Sequence, residues 1–455
     1  MSLYGAALEH VLFPGWESIV RGRPTLDRLR FLVATERRSL DELLAIQSGE
    51  LGRLVRHAWE HVPYYRARFE ECGVGPDSIR SLDDLGRLPL LTRDDAIDSY
   101  QRRRSTAAPL ATIKKTTSGS TGQPLAFAYD TGSEYWRQAV KLRGYGWAGY
   151  RVGKRALFYW GAPVHPLPPL RVRAKVAVDH LLKREHYVAC TERTPEALDR
   201  LVEIIRREQP DVLLCYTMSG AALAHHILAR GVRIARPLPV ICGAERLYPV
   251  DRAAMKEAFG PSVFETWGCR EMMLIAAECE AHDGLHLSME NLIVELVVSE
   301  NGVDRPARPG ESGDVVLTDL HNYGMPFIRY KNGDRAIAGS ASACPCGRNL
   351  QKITAVDGRV SETLRGADGN PVSGLVFNVI FAVFGDAVRQ FQAIQHKNGA
   401  ITLKLAPKGG LDDQTRAHIL SNCAKYLPGV PIQVEIVAEI PLSASGKRRV
   451  VIVEK

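Results

Sequence analysis

At 455 residues the chain exceeds what one ordinary hydrophobic core organises, so two or more domains are expected. A hydrophobic fraction of 45% and a charged fraction of 24% are those of a globular protein, which excludes disordered, collagenous and fibrous classes. The formal net charge of +8 suits an anionic ligand such as a nucleotide, yet the basic residues are scattered and Lys447-Arg448-Arg449 is too short a run to indicate nucleic acid.

The N-terminal stretch Met1-Ser2-Leu3-Tyr4-Gly5 lacks a basic n-region, and Glu9 and His10 interrupt its apolar run, so no secretory signal is expected. The most apolar segment, 372–388, is broken by Asn378 and Asp386 and reads as a buried helix, with no membrane partner. Nine cysteines, an odd number without an export signal, argue against a disulfide framework and for a cytoplasmic protein.

In chain order, residues 26–72 carry helical periodicity, with Leu29, Leu32, Leu40, Leu43, Leu44, Leu51, Leu54 and Val55 recurring at spacings of three and four. Pro63, Pro89 and the Leu91-Thr92 step punctuate this region. A buried strand is predicted at 155–160. Thr194-Pro195-Glu196 starts a helix running to about Glu208, with Thr as N-cap and Pro in the first turn. Then follow a strand at 211–217, a helix at 219–230, a strand at 238–242, a helix at 250–259 and a strand at 262–267. This βαβαβ rhythm predicts a mostly parallel sheet flanked by helices. Between 286 and 340, short β-branched runs at 294–298 and 315–318 predict a small antiparallel β element. Beyond Gly358-Arg359 a small α+β unit is expected, with helices at 373–384 and 412–426 and strands at 390–396, 400–405 and 431–437. The fold class is therefore α/β, with a large N-terminal domain, 1–359, and a small C-terminal domain, 360–455.

Four pieces carry candidate chemistry. In Thr116-Thr117-Ser118-Gly119-Ser120-Thr121-Gly122-Gln123-Pro124, hydroxyls alternate with glycines, so backbone N–H and side-chain O–H groups can converge on phosphate oxygens. Alone it reads equally as a polar surface loop, and it is not a Walker A loop, because Gln123-Pro124 stands where Lys-Ser/Thr is required. Trp267-Gly268-Cys269-Arg270-Glu271 sits at the end of a predicted parallel strand, where open α/β sheets collect ligands. In Arg329-Tyr330-Lys331-Asn332-Gly333-Asp334 the acid could accept hydrogen bonds from ribose hydroxyls. Lys447, within Ser443-Ala444-Ser445-Gly446-Lys447, could pair with a carboxylate and a phosphate together, although a lone lysine is more often a solvated surface group.

Taken in order with Gly358-Arg359, with His57-Ala58-Trp59-Glu60-His61-Val62-Pro63-Tyr64-Tyr65 and with Leu82-Asp83-Asp84-Leu85, these motifs resemble the adenylate-forming superfamily of acyl-CoA synthetases, adenylation domains and luciferases, and within it the phenylacetate–CoA ligase family with its CapK-like branch. The resemblance implies ATP-dependent activation of a carboxylic acid, aryl or arylacetic, to an acyl-adenylate, followed by transfer to CoA. A carrier protein, amine or hydroxyl is the alternative acceptor, and a non-catalytic nucleotide- and zinc-binding module the reading from another class. It further implies that Thr117, Ser118, Gly119, Ser120, Thr121 and Gly122 hold the β- and γ-phosphates, that Gly243, Ala244 and Glu245 line the adenine pocket, and that Trp267, beside Gly268, lies against the purine. Glu271 would hold Mg²⁺, Asp334 the ribose, and Arg359 the ribose or phosphate, while Lys447 would bridge carboxylate and α-phosphate. Ser361 falls at the hinge about which relatives rotate a mobile C-terminal domain, and many relatives are homodimers. The chain departs from the family in Trp267 for Tyr, Arg270 for Ser or Thr, and Ser361 for an acid.

A second cluster comprises Cys279, His282, His286, Cys344 and Cys346. Cys344-Pro345-Cys346-Gly347 offers two soft ligands on a tight knuckle, and Cys279 with His286 could complete a structural Cys₃His zinc site, His282 being the competing ligand. Part of the same family carries a similar zinc-binding combination. Tyr145, Trp147, Tyr159, Trp160 and Tyr216 are candidate aromatic walls for the acid or simply core residues. His225-His226 reads as packing or surface, and Cys215 and Cys242 as inert core thiols.

Overall fold

The computed structural model describes residues 3–107, 110–117, 125–161, 169–190, 194–300, 303–340, 342–359, 363–369, 371–373, 377, 380–381, 384, 387–441 and 449–454. Two compact units emerge, Met1–Asn332 with Ala336–Val356, and Gly333–Arg335 with Asp357–Lys455. No helix among the described residues is long and apolar enough to cross a membrane.

In the large unit, β1 (Thr112–Thr116) and β2 (Ala126–Asp130) form an antiparallel hairpin. The parallel strands are β3 (Ala156–Tyr159), β4 (Glu185–Val188), β5 (Val212–Tyr216), β6 (Val240–Gly243) and β7 (Val263–Cys269). Then come β8 (Met273–Glu278), β9 (Leu285–Leu287), β10 (Leu292–Glu300), β11 (Val303–Pro306), β12 (Ser312–Asp319), β13 (Tyr330–Ala338) and β14 (Lys352–Arg359). Strands β3 to β14 make one 12-stranded sheet in the order β11-β10-β12-β13-β14-β9-β8-β7-β6-β5-β3-β4. The predicted antiparallel element is present, with the 294–298 run pairing against the 315–318 run, and it is larger than expected. Its strands continue the parallel half, because β8 turns back on β7 and stays hydrogen-bonded to it.

The helices explain themselves locally. Leu40–His61 begins with a full capping box, the Ser39 side chain accepting from Glu42 N–H while the Glu42 carboxylate accepts from Ser39 N–H. Pro195–Glu208 starts at the predicted Thr194 cap and buries Leu198, Leu201, Val202 and Ile205, the i, i+3, i+4, i+7 face of an amphipathic helix. Thr131–Trp147, which the periodicity reading did not predict, is capped by Asp130 and buries two arginines, Arg137 and Arg143, along with Trp136, Ala139 and Val140. Its face is therefore apolar and cationic at once, which hides it from a hydrophobicity pattern.

Those arginines clamp the helix to the sheet. Arg143 donates to both Glu290 oxygens at 2.7 and 2.9 Å, and Thr35 Oγ1 donates to Glu290 Oε1 at 2.7 Å. Arg137 pairs with Asp319 and donates to the Glu271 carbonyl. His321 stacks flat on Trp136 at 3.9 Å and donates from Nε2 to the Glu290 carbonyl at 2.9 Å.

The C-terminal unit contains a hairpin, β15 (Thr363–Arg365) with β16 (Pro371–Ser373), and β17 (Val388–Gln395), β18 (Ile401–Pro407), the helix Asp413–Tyr426, β19 (Ile432–Ile436) and β20 (Val451–Val453). Its four-stranded sheet runs β19-β18-β17-β20, antiparallel only at β17/β18. Phe377, Ile380, Phe381, Leu403, Ile419 and Cys423 fill its core. Phe377, Ile380 and Phe381 are helical, and the rest of the 378–383 stretch lies outside the described residues.

Two outcomes follow for stability. Glu290→Ala leaves the buried Arg143 guanidinium without its carboxylate, with only the Leu32 carbonyl still accepting from it, and is expected to cost about 3–5 kcal/mol in chemical denaturation, with Arg143→Met/Glu290→Leu recovering much of it. Burial, aided by the positive charges of Arg28 and Arg53, holds His321 down at about 4. The unfolded chain, with an ordinary histidine near ~6.5, therefore takes up the proton first, so stability is full above that pH and falls as pH drops toward 4, by up to about 3 kcal/mol. Measured from pH 7 to 4, His321→Gln is expected to show a shallower loss than wild type. Identical slopes would place the effect elsewhere.

Candidate active site and metal centre

Trp160, Tyr216 and Gly243 lie at the carboxyl edge of the parallel strands, following or ending β3, β5 and β6, and Trp267 lies in β7 just beyond its parallel pairing with β6. The β7–β8 pairing shifts register between Trp267 and Gly268, a β-bulge. A side chain at 268 is impossible there, since a Cβ would lie 1.8 Å from the Met273 carbonyl oxygen. Met273 itself sits in the left-handed region at φ 67°. This tight reversal presents Glu271 beside the strand ends, buried at 6% exposure.

Tyr330 Oη donates to Glu271 Oε1 at 3.3 Å, and Arg93 Nη1 lies 4.0 Å from the same oxygen. Burial first, then the Glu271 charge, push the Tyr330 phenol far above its ordinary value, with Arg93 pulling the other way, so the phenol remains a neutral donor. Arg93 Nη2 also donates to Thr117 Oγ1 at 3.2 Å. Thr117 closes the mouth of the β1–β2 loop: its N–H donates to the Leu125 carbonyl at 2.9 Å, and its hydroxyl accepts from Leu125 N–H at 3.2 Å. Base of loop, arginine, carboxylate and phenol thus form one contiguous group.

Ser118, Gly119, Ser120, Thr121 and Gly122, the interior of that loop, lie outside the described residues, as do Ser361 and Lys447. Arg359 is described only through its backbone, at the end of β14. Asp334 is buried within β13, in the short stretch that groups with the C-terminal unit. Arg329, from the same motif, is a structural clamp: it pairs with both Glu295 oxygens and donates to the carbonyls of Gly86 and Leu88.

At β6, Gly243 lets the Trp160 ring close in, since a Cβ would stand 2.9 Å from both that indole and Thr266 Oγ1. Ala244 follows in the left-handed region at φ 67°, and Glu245 accepts from Met218 N–H at 3.0 Å, steadying the first turn of the helix Thr217–Ala229. Trp160 meets Tyr216 edge-on, ring centres 4.6 Å apart. The other three aromatic candidates go elsewhere: Tyr159 is buried in the core, Tyr145 packs on Tyr150, and Trp147 packs near His286.

Arg93 escaped the sequence reading. Leu91-Thr92 registered only as punctuation, whereas Thr92 and Asp95 form a capping box that makes Arg93 the first residue of a short helix. The signal was present, but nothing local says that the side chain faces a carboxylate distant in sequence.

Apart from this edge, ligand atoms of Cys279, His286, Cys344 and Cys346 all lie within 4.8 Å of one another. Cys279 Sγ and Cys344 Sγ are 3.7 Å apart, and Cys346 Sγ is 3.3 Å from His286 Nε2. A tetrahedral zinc with Zn–S bonds of ~2.3 Å sets its sulfurs about 3.8 Å apart, so the donor set fits that ion, whereas a disulfide requires ~2.05 Å. His286 Nδ1–H donates to the Leu350 carbonyl at 3.1 Å, which leaves Nε2 as the ligand atom facing the sulfurs. Burial lowers His286 to about 4 and raises Cys279 to about 12. Cys346 is opposed by burial but drawn below the ordinary thiol value by hydrogen bonds from Arg348 backbone and side chain. His282, the competing ligand of the sequence reading, instead pairs with Glu278 at 3.1 Å and tilts over Phe264.

The CapK C-terminal domain family matches residues 364–454. The phenylacetate–coenzyme A ligase of Thermus thermophilus is 28% identical over 378 residues, covering 79% of this chain and 80% of that protein. The enzyme of the same name from Escherichia coli K12 is 27% identical, covering 72% and 74%. Among solved structures, a 2-hydroxyisobutyryl-CoA ligase in its postadenylation state superposes with a TM-score of 0.74 at 19% identity over 92% of this chain and 91% of that one. ATP-bound MatB from Rhodopseudomonas palustris gives 0.52 at 15% identity over 74% and 66%. In sequence the chain is similar to the phenylacetate–coenzyme A ligases over most of its length, and its fold is that of the solved acyl-CoA ligases.

Proposed function

We propose that this protein joins a carboxylic acid to ATP as an acyl-adenylate, releasing pyrophosphate, and then passes the acyl group to the thiol of coenzyme A, releasing AMP. What supports the reading is the convergence of Thr117, Arg93, Glu271 and Tyr330 at the carboxyl edge of the parallel strands, in a chain similar in sequence to the phenylacetate–coenzyme A ligases.

The first half-reaction brings two anions together. The carboxylate attacks the α-phosphorus, the bond to the pyrophosphate oxygen breaks, and pyrophosphate leaves with the electron pair. The hydroxyl-rich loop beyond Thr117 would cradle the departing charge, and Lys447 would sit between carboxylate and α-phosphate. Mg²⁺ held at Glu271 would neutralise phosphate charge. In the second half-reaction the thiolate adds to the activated carbonyl and AMP departs, so no side chain has to form a covalent bond. Trp160 and Tyr216, edge to face beside Gly243, would give a flat aryl or arylacetic acid two apolar walls. Zinc in the Cys279/His286/Cys344/Cys346 set would be structural, because four protein ligands leave no open position.

A panel of carboxylic acids assayed for pyrophosphate release, with and without CoA, tests the reading. An aryl or arylacetic acid is expected to drive release of pyrophosphate, with AMP release rising when CoA is added, and Lys447→Ala is expected to slow adenylation about 100-fold or more. Orthophosphate in place of pyrophosphate, or full-rate exchange in Lys447→Ala, would sink it. Metal analysis of the purified chain is expected to give about one zinc per molecule, lost in Cys344→Ser/Cys346→Ser together with several degrees of melting temperature. Metal-free wild type of unchanged stability would remove the zinc assignment.

A further inference from the structure

We infer that Arg93 organises the phosphate end of the nucleotide site, tying the base of the hydroxyl-rich loop to Glu271. This rests on the reading above, that the loop receives the β- and γ-phosphates of ATP.

The placement of Arg93 is heavily determined. Leu91 bridges to Tyr330 in parallel fashion, its N–H donating to the Arg329 carbonyl and its carbonyl accepting from Lys331 N–H, both at 2.9 Å. One residue later the Thr92–Asp95 capping box fixes the start of the helix Arg93–Asp98. Tyr330, which the bridge holds, and Arg93, which the cap holds, then address the same Glu271 oxygen. Two chain segments distant in sequence are thereby locked to a third.

The distances indicate a division of labour. At 3.2 Å, Nη2 makes a hydrogen bond to Thr117 Oγ1. At 4.0 Å, Nη1 is too far from Glu271 Oε1 for a direct hydrogen bond, so it offsets the carboxylate's charge without consuming that oxygen's lone pairs. A carboxylate facing a triphosphate needs such an offset, and a cation site at Glu271 needs those lone pairs. Arg93 serves both needs, and only a planar fork reaches the hydroxyl and the carboxylate from one side chain. The guanidinium remains 24% exposed.

Because the role concerns the β- and γ-phosphates, it separates ATP from AMP. Calorimetric titration of the full chain with MgATP, magnesium pyrophosphate and AMP is the test. Arg93→Ala is expected to weaken MgATP and pyrophosphate about tenfold or more and to leave AMP within about twofold, with Arg93→Lys between wild type and Arg93→Ala. If the alanine variant does not fold, Arg93→Gln, which keeps the bulk, supplies the same comparison. Equal weakening of ATP and AMP, or unchanged MgATP affinity, overturns the inference while leaving the function standing. Wild type that binds neither nucleotide overturns the function itself.

Discussion

The approach of the Met273 carbonyl to Gly268, closer than any side chain permits, is the constraint on which the rest of the large unit hangs. It lets β8 reverse on β7 within a few residues and remain in the sheet, so the parallel and antiparallel halves become one surface. The same reversal carries Trp267 and Glu271 to the strand ends. A looser turn would leave Glu271 on a solvent loop, without Tyr330 or Arg93 within reach.

Buried charge holds this arrangement in register. Arg137 and Arg143 leave one helix and reach the sheet at Asp319, the Glu271 carbonyl and Glu290. Such pairs cost desolvation and return little net stability compared with apolar packing, but they tolerate few alternative geometries. The Glu271 backbone is therefore fixed from behind by Arg137, while its side chain is faced by Tyr330 and Arg93. The candidate catalytic carboxylate is positioned by groups on three separate chain segments.

The Cys/His cluster lies close by, Trp147 standing between Arg143 and Arg348. Arg348 beside the knuckle pairs with Glu36 and Glu280 and lies over Trp147, and Arg37 donates to the Cys346 carbonyl. These contacts join the knuckle to the Thr25–Thr35 and Leu40–His61 helices, so a metal there would brace the same helical layer that Arg143 clamps.

Sequence alone determined the features set by near neighbours in the chain. The alternation of apolar runs with capped amphipathic helices gave β5 to β7 and their helices, and β17 to β19 with the helix Asp413–Tyr426 were legible for the same reason, whereas the short β15, β16 and β20 were not. Side-chain chemistry and the family resemblance assembled five metal-binding candidates, Cys279, His282, His286, Cys344 and Cys346, because ligand type is a local property. Tertiary structure decided what distance in sequence conceals. It joined the antiparallel strands to the parallel sheet, placed His286 beside the sulfurs and His282 against Glu278, and brought Trp160 edge-on to Tyr216 while burying Tyr159 in the core. It also brought Arg93 to Thr117 and Glu271, residues 24 and 178 positions further along the chain. No periodicity or cap encodes such a meeting, since a side chain's partner depends on where whole strands and helices pack.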